Sequence, residues 1–292
     1  GTYNISVNAT DFAGNQFVVN TTVLTIDNTN ANVTIISPQN SSNFTSDFII
    51  NASVNDSSTG VFNATFRLMN SLVTTEWLYA NRSSGTQSQG YWNTTLFVST
   101  IDDGIYNITV NATDFVGRSV VANISEIRID RIGPNVSTTV PVNVSNYSTN
   151  FIINMSVNDS VSEVFNVTYK IYNQTHNASD WLYAERNSGT KIAGHWNTTV
   201  FIATLPDGLY NITVNATDYA GNQFITNVSS FRVDTTAANV SLIVPLNGTE
   251  VIQTILINNS VNDTTSFVET VRYRVISELA SSAWFDGTLT TG

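Results

Sequence analysis

The sequence predicts an all-β protein of tandem antiparallel β-sandwiches built without disulfides. Three observations carry this. One unit recurs every 103 or 104 residues, its hydrophobic pattern has a period of two, and none of the 292 residues is cysteine.

The recurrence decides the architecture. YNISVNATDFAGN begins at Tyr3, YNITVNATDFVGR at Tyr106 and YNITVNATDYAGN at Tyr210. A second block reads IINASVND from Ile49, IINMSVND from Ile152 and LINNSVND from Leu256. Trp77 and Trp181 open WLYA, Trp284 opens an altered WFDG, Trp92 matches Trp196, and Pro38, Pro141 and Pro245 keep the same spacing. Such a period is too long for a solenoid turn and fits independently folded domains in series. The joints fall at Asp27–Ala31, Asp130–Pro134 and Asp234–Ala238. Residues 1–30 then supply the last strands (F–G) of one sandwich. Residues 31–133 and 134–237 are two whole sandwiches, and 238–292 is the first part of a further one.

Strands follow from the faces. Tyr106, Ile108, Val110 and Ala112 alternate with Asn107, Thr109, Asn111 and Thr113. Phe165, Val167, Tyr169 and Ile171 oppose Asn166, Thr168 and Lys170, and Phe48, Ile50, Ala52 and Val54 oppose Asn51, Ser53 and Asn55. One apolar and one polar face is the pattern of an antiparallel sheet laid on a core. No stretch has a helical period. In the last strand of each unit the parity slips, from Ile124 to Ile127 and around Val228, which predicts a β-bulge.

Asp-Gly-x-Tyr at 103–106 and 207–210 resembles the tyrosine corner of immunoglobulin-like sandwiches, where a Tyr hydroxyl bonds back to the backbone before strand F. Tyr3, Tyr106 and Tyr210 hold that place. Two residues on stands Ile108 or Ile212, where a disulfide-bonded domain has cysteine. The expected relatives are therefore fibronectin type III or cadherin-like modules. The Thr-Asp-aromatic-x-Gly runs from Thr10, Thr113 and Thr217 read as the F–G hairpin, with Asp capping the turn and Gly free to take positive φ.

Composition excludes several functions. The net charge is −11, from 22 acidic and 11 basic side chains, so a nucleic-acid-binding surface is not expected. No apolar run is long enough to span a bilayer, and thiol chemistry has no residue to use. The chain opens at Gly1 with neither Met nor a signal segment, so it reads as a window of a longer or processed chain.

The loudest chemical signal is Asn-x-Ser/Thr. With 38 Asn, 40 Thr and 31 Ser, the chain contains 30 such triplets, about three times what random placement gives. On a strand the triplet reads Asn-out, x-in, Thr-out, so its acceptor is expected to face solvent. N-glycans are expected on some of Asn63, Asn93, Asn107, Asn111, Asn166, Asn197, Asn211 and Asn215. Polar strand faces written in Asn and Thr would create the same triplets, but Asn is a poor strand former and its choice would go unexplained. Asn107 and Asn111 lie only about 13 Å apart on one face, so their glycans would crowd each other.

Acidic residues recur in three phased sets: Asp11, Asp114 and Asp218 in the hairpin; Asp56, Asp159 and Asp263 after the NSVND-type strand; Asp27, Asp130 and Asp234 at the joints. Calcium takes carboxylate and carbonyl oxygens, and the joint residues Asp27, Asp130 and Asp234 are its expected ligands. The competing role is a turn carboxylate bonding its own backbone. Catalysis is not expected. His176 and His195 occupy non-equivalent places, and the pair Asp102–Asp103 becomes Pro206–Asp207 in the next unit. No nucleophile and orienting carboxylate accompany either histidine. Trp77 and Trp92 recur in step and read as packing aromatics.

Together, DGxYNITVNATDxxGN, WLYA and the joint VDTTAANV resemble immunoglobulin-like repeats of very large prokaryotic surface proteins, archaeal ones above all. The resemblance covers nearly the whole chain. It implies an extracellular, usually glycosylated structural protein: a rod of domains in a surface layer, stalk or filament that self-associates. Residues 1–27 completing another copy's 238–292 by strand addition would be the filament version. The alternative is an adhesin binding a host protein or glycan through tip loops, of which Ser71–Glu76 and Gln174–Asp180 diverge most between units.

Overall fold

The computed structural model describes residues 1–174 and 180–289. Helical geometry among them is confined to two 3₁₀ turns, Val98–Thr100 and Ile202–Thr204. Residues 1–27 form β1 (Thr2–Tyr3), β2 (Ser6–Thr10), β3 (Gln16–Asn20) and β4 (Leu24–Thr25), with β1 paired to β4 and β2 to β3.

The first whole repeat contains β5 (Asn32–Ser37), β6 (Asn43–Phe44), β7 (Phe48–Asn55), β8 (Val61–Met69), β9 (Leu78–Tyr79), β10 (Asn81–Gly85), β11 (Gln89–Leu96), β12 (Gly104–Asp114) and β13 (Ser119–Ile129). They make two sheets, ordered β10-β11-β7-β5 and β6-β13-β12-β8-β9. The second repeat contains β14 (Asn135–Val140), β15 (Ser145–Tyr147), β16 (Phe151–Asn158), β17 (Val164–Tyr172), β18 (Leu182–Tyr183), β19 (Glu185–Gly189), β20 (Ala193–Val200), β21 (Gly208–Asp218) and β22 (Gln223–Val233). Its sheets, β14-β16-β20-β19 and β15-β22-β21-β17-β18, repeat that order strand for strand. This is the A-B-E-D against C-F-G arrangement of immunoglobulin-like sandwiches. The short strands β6 and β15 run parallel beside β13 and β22. The last segment has β23 (Asn239–Val244) on β24 (Asn258–Asn262), and β25 (Arg272–Tyr273) on β26 (Phe285–Asp286).

The cores follow the alternation. Ile50, Ala52, Val54, Ile108, Val110 and Ala112 are all fully buried, as are Phe66 and Leu68 on β8. In the second sandwich Ile153, Met155, Ile212 and Val214 are fully buried, and Phe231 sits 5.0 Å from the Phe151 ring and 5.7 Å from that of Tyr210. Each such Val, Ile, Leu, Phe or Met side chain stabilises its sandwich by roughly 1.5–3 kcal/mol, and the smaller Ala52 and Ala112 by less.

Two positions depart from strict alternation. Phe165 is 54% exposed and its counterpart Phe62 58%. Val61 and Ala64 are both buried, as are Val164 and Val167, so an extra residue lies between two inward positions. The pairing shows it: Thr113 faces Asn63 while Asp114 faces Val61, leaving Phe62 unpaired and turned out. Thr109 is buried rather than wet, because its hydroxyl donates to Asn123 Oδ1 at 2.8 Å. The parity slip in the last strand is a bulge in both sandwiches. Tyr106 faces Ile127 but Ile108 faces Ile124, with Glu126 at φ 60°, and Ile212 faces Ser229 but Thr213 faces Asn227.

The chain divides into two compact units. One comprises residues 1–133, 159–163 and 218–222; the other comprises 134–158, 164–217 and 223–292.

Candidate metal centre and glycan acceptors

Three aspartates of the first unit each close a turn. Asp56 follows β7, and its Oδ1 accepts the N–H groups of Ser58, Thr59 and Gly60 at 2.9, 2.9 and 3.0 Å. Asp114 ends β12, and its Oδ1 accepts those of Val116 and Arg118 at 2.9 and 2.8 Å. Asp27 follows β4; its Oδ1 accepts the Thr29 N–H and hydroxyl, and its Oδ2 accepts the Thr59 hydroxyl at 2.7 Å. A short carboxylate suits this work because it reaches amides two to four residues on.

Folding brings these turns together. One ligand oxygen from each of Asp27, Asp56 and Asp114 lies within 4.8 Å of the others, and all three residues are buried. Asp130, Asp159 and Asp218 form the equivalent trio within the same limit. There the Ser162 N–H bridges Asp130 Oδ2 and Asp159 Oδ1 at 3.0 and 2.9 Å. Each trio takes one member from each phased set, so the joint aspartate is one carboxylate among three. At Asp234 only the pair with Asp263 recurs, again bridged by a backbone amide, that of Ser266. Among the described residues Asp234 joins no three-carboxylate cluster.

The electrostatics differ between members. Donation from Thr59, then from the Thr29 amide and hydroxyl, lowers the Asp27 pKa to about 2. Burial, reinforced by the charge of Asp130, pushes that of Asp159 up. Carboxylate oxygens without histidine or cysteine suit a hard cation.

The sequons are less open than their alternation implies. Asn107 and Asn211 are exposed, whereas Asn63, Asn93, Asn111, Asn166, Asn197 and Asn215 are only half-exposed. Three of the half-exposed asparagines are flanked on both sides. Asn93 lies between Asn51 and Asn81 on neighbouring strands, Asn197 between Asn154 and Glu185, and Asn111 between Thr65 and Val121. Facing side chains only about 5 Å away restrict each amide.

The Tyr106 hydroxyl donates to the Asp102 carbonyl at 2.9 Å, and that of Tyr210 to the Pro206 carbonyl at 2.7 Å. Tyr3 makes no such bond among the described residues and is 53% exposed. Asp103 Oδ1 accepts from Arg131 Nε at 2.7 Å, so both carboxyl-bearing residues of this pair serve the turn. His195 is exposed on β20 opposite Ser156 and Ser188. His176 lies outside the described residues, as do 175–179 of the Gln174–Asp180 loop. Trp92 and Trp196 are 8% exposed, while WLYA lies at a sheet edge, with Arg67 stacked 4.4 Å above Trp77.

Three family models match. A bacterial Ig domain covers residues 32–110, a bacterial Ig-like domain 145–235, and a bacterial Ig-like domain of group 3 covers 194–279. No curated protein shows significant similarity to the chain. Among solved structures, a 1.5-MDa bacterial ice-binding adhesin is 17% identical with a TM-score of 0.34, over 80% of this chain and 74% of that one. Latent PorU from Porphyromonas gingivalis is 13% identical with a TM-score of 0.28, over 73% of this chain but only 25% of that one. The titin Ig tandem A164–A165 is 9% identical with a TM-score of 0.25, over 69% of this chain and 96% of that one. Domain families of this kind are generally non-enzymatic. With the same strand order in both whole repeats, the chain is a tandem repeat protein of immunoglobulin-like domains.

Proposed function

We propose that this protein is a structural component of a cell exterior, its repeated sandwiches serving as spacers in a surface layer or extracellular filament of archaeal type. The observation that carries the reading is duplication of one sandwich with its apolar core and its neutral Asn/Thr outer face intact. Such a face keeps a domain soluble with few charges, and N-glycans at Asn107 and Asn211 would extend that effect. A strand of 11 residues such as β12 spans about 35 Å, so each domain adds a spacer of that order. Phased exposed aromatics favour self-association: Phe97 and Phe201 are 57% and 59% exposed, and Tyr79 and Tyr183 are 74% and 71%.

Adhesion through tip loops is the second reading. It is favoured by Leu72, 90% exposed in the divergent Ser71–Glu76 loop. Protease shaving of intact native cells separates surface from interior. Release of peptides from these repeats without lysis is expected, and peptides obtained only after lysis would refute surface display.

A further inference from the structure

Turn capping explains Oδ1 of Asp56 and of Asp114, which together accept five backbone N–H groups. It does not explain their other oxygens. Asp56 Oδ2 and Asp114 Oδ2 are buried and accept no hydrogen bond, in residues 4% and 1% exposed. A buried carboxylate oxygen without a donor is costly, and a second and third carboxylate beside it raise the cost. Arg118 lies close enough to favour the charge on Asp27, but its Nε donates to Asn30 Oδ1 at 3.2 Å. In the other two hairpins the residue at Arg118's place is Asn15 or Asn222, whose amide donates to Oδ2 of Asp11 or Asp218 at 2.8 Å. Only the first trio leaves that oxygen over.

We infer that Asp27, Asp56 and Asp114 bind one calcium ion, and that Asp130, Asp159 and Asp218 form a second, weaker site. Calcium–oxygen bonds of roughly 2.3–2.6 Å let one ion reach oxygens up to about 5 Å apart, which the 4.8 Å limit satisfies. The all-oxygen donor set disfavours zinc and copper, which prefer nitrogen or sulfur. The second site is weaker because Asn222 occupies Asp218 Oδ2. It retains a further donor in Ser162: its amide holds Asp130 and Asp159 together, and its hydroxyl is buried without a partner in a residue 2% exposed. Bound calcium would tie the chain after β4 to the ends of β7 and β12. The inference does not depend on where the protein is displayed.

The test is isothermal titration of the whole chain, stripped with chelator, using calcium chloride and magnesium chloride in parallel. Two saturable calcium events are expected, at dissociation constants up to about a millimolar, with magnesium weaker. Thermal unfolding should shift upward by several degrees at saturating calcium. Asp114→Asn keeps Oδ1 as turn acceptor; circular dichroism should show the native fold, and the tighter event should vanish. Asp56→Asn serves the same purpose if that variant fails to fold. Asp218→Asn should remove only the weaker event, and Asp11→Asn, in an exposed hairpin outside both trios, neither. Absence of calcium binding at about 10 mM, magnesium binding as tightly as calcium, or a tight event surviving in folded Asp114→Asn would overturn the inference.

Discussion

Replacing Tyr106 by Phe removes one oxygen and nothing else. The ring is 2% exposed, so its apolar burial is retained. What disappears is the 2.9 Å hydrogen bond from the hydroxyl to the Asp102 carbonyl. One such bond contributes about 1 kcal/mol, and for a domain near 100 residues that corresponds to about 4 °C in Tm. The expected loss is therefore about 4 °C, confined to the transition of the first sandwich in a calorimetric scan of the intact chain. Tyr210→Phe, which breaks the 2.7 Å bond to Pro206, should lower the second sandwich's transition by a similar amount. Tyr3→Phe should change neither, since Tyr3 is half exposed and makes no such bond among the described residues. Burial, with help from Asp102 and Asp103, raises the Tyr106 pKa above 10. A raised pKa means the stabilisation is complete below the unfolded value near 10 and is lost as pH rises through the folded one. Wild type should therefore lose stability in alkali more steeply than Tyr106→Phe. Equal shifts from Tyr3→Phe and Tyr106→Phe, or none from either, would refute the tyrosine-corner account.

Two further predictions concern the packing. Gly85→Ala should destabilise the first sandwich by about 2 kcal/mol or more, because the backbone is left-handed at φ +84° and the new Cβ would lie 2.4 Å from the Gln89 carbonyl oxygen. Gly117→Ala, at φ +85° with open space around it, should cost only about 1 kcal/mol. Phe66→Ala should cost about 3–5 kcal/mol in denaturant titration, whereas Phe62→Ala, four residues earlier and 58% exposed, should cost less than about 1 kcal/mol. Comparable losses at both phenylalanines would contradict the bulge that turns Phe62 outward.

The sandwich was readable because it rests on local alternation, and alternation of Ile50, Ala52 and Val54 needs no knowledge of the partner strand. The last-strand bulge was readable for the same reason, since Ile124 and Ile127 break parity on their own. Phe165 was not readable, because the extra residue in its strand is defined by what the neighbouring strand pairs with. Accessibility of the sequons failed similarly: Asn93 points outward, but Asn51 and Asn81 beside it are remote in sequence. The three sets of aspartates were legible as phased sets. Their convergence was not, since Asp27, Asp56 and Asp114 are joined only by folding. Even so, a recurring Asp in three separate turns was the signal that could have suggested one site.

The central claim is that these repeats stand outside the cell as a glycan-bearing spacer, and glycopeptide mass spectrometry of the protein from its native cell surface tests it most directly. The account predicts excess mass on Asn107 and Asn211, the two exposed acceptors of the eight, with lower occupancy at half-exposed positions such as Asn93 and Asn197. Unmodified asparagine throughout, on protein recovered only from the cell interior, would contradict it.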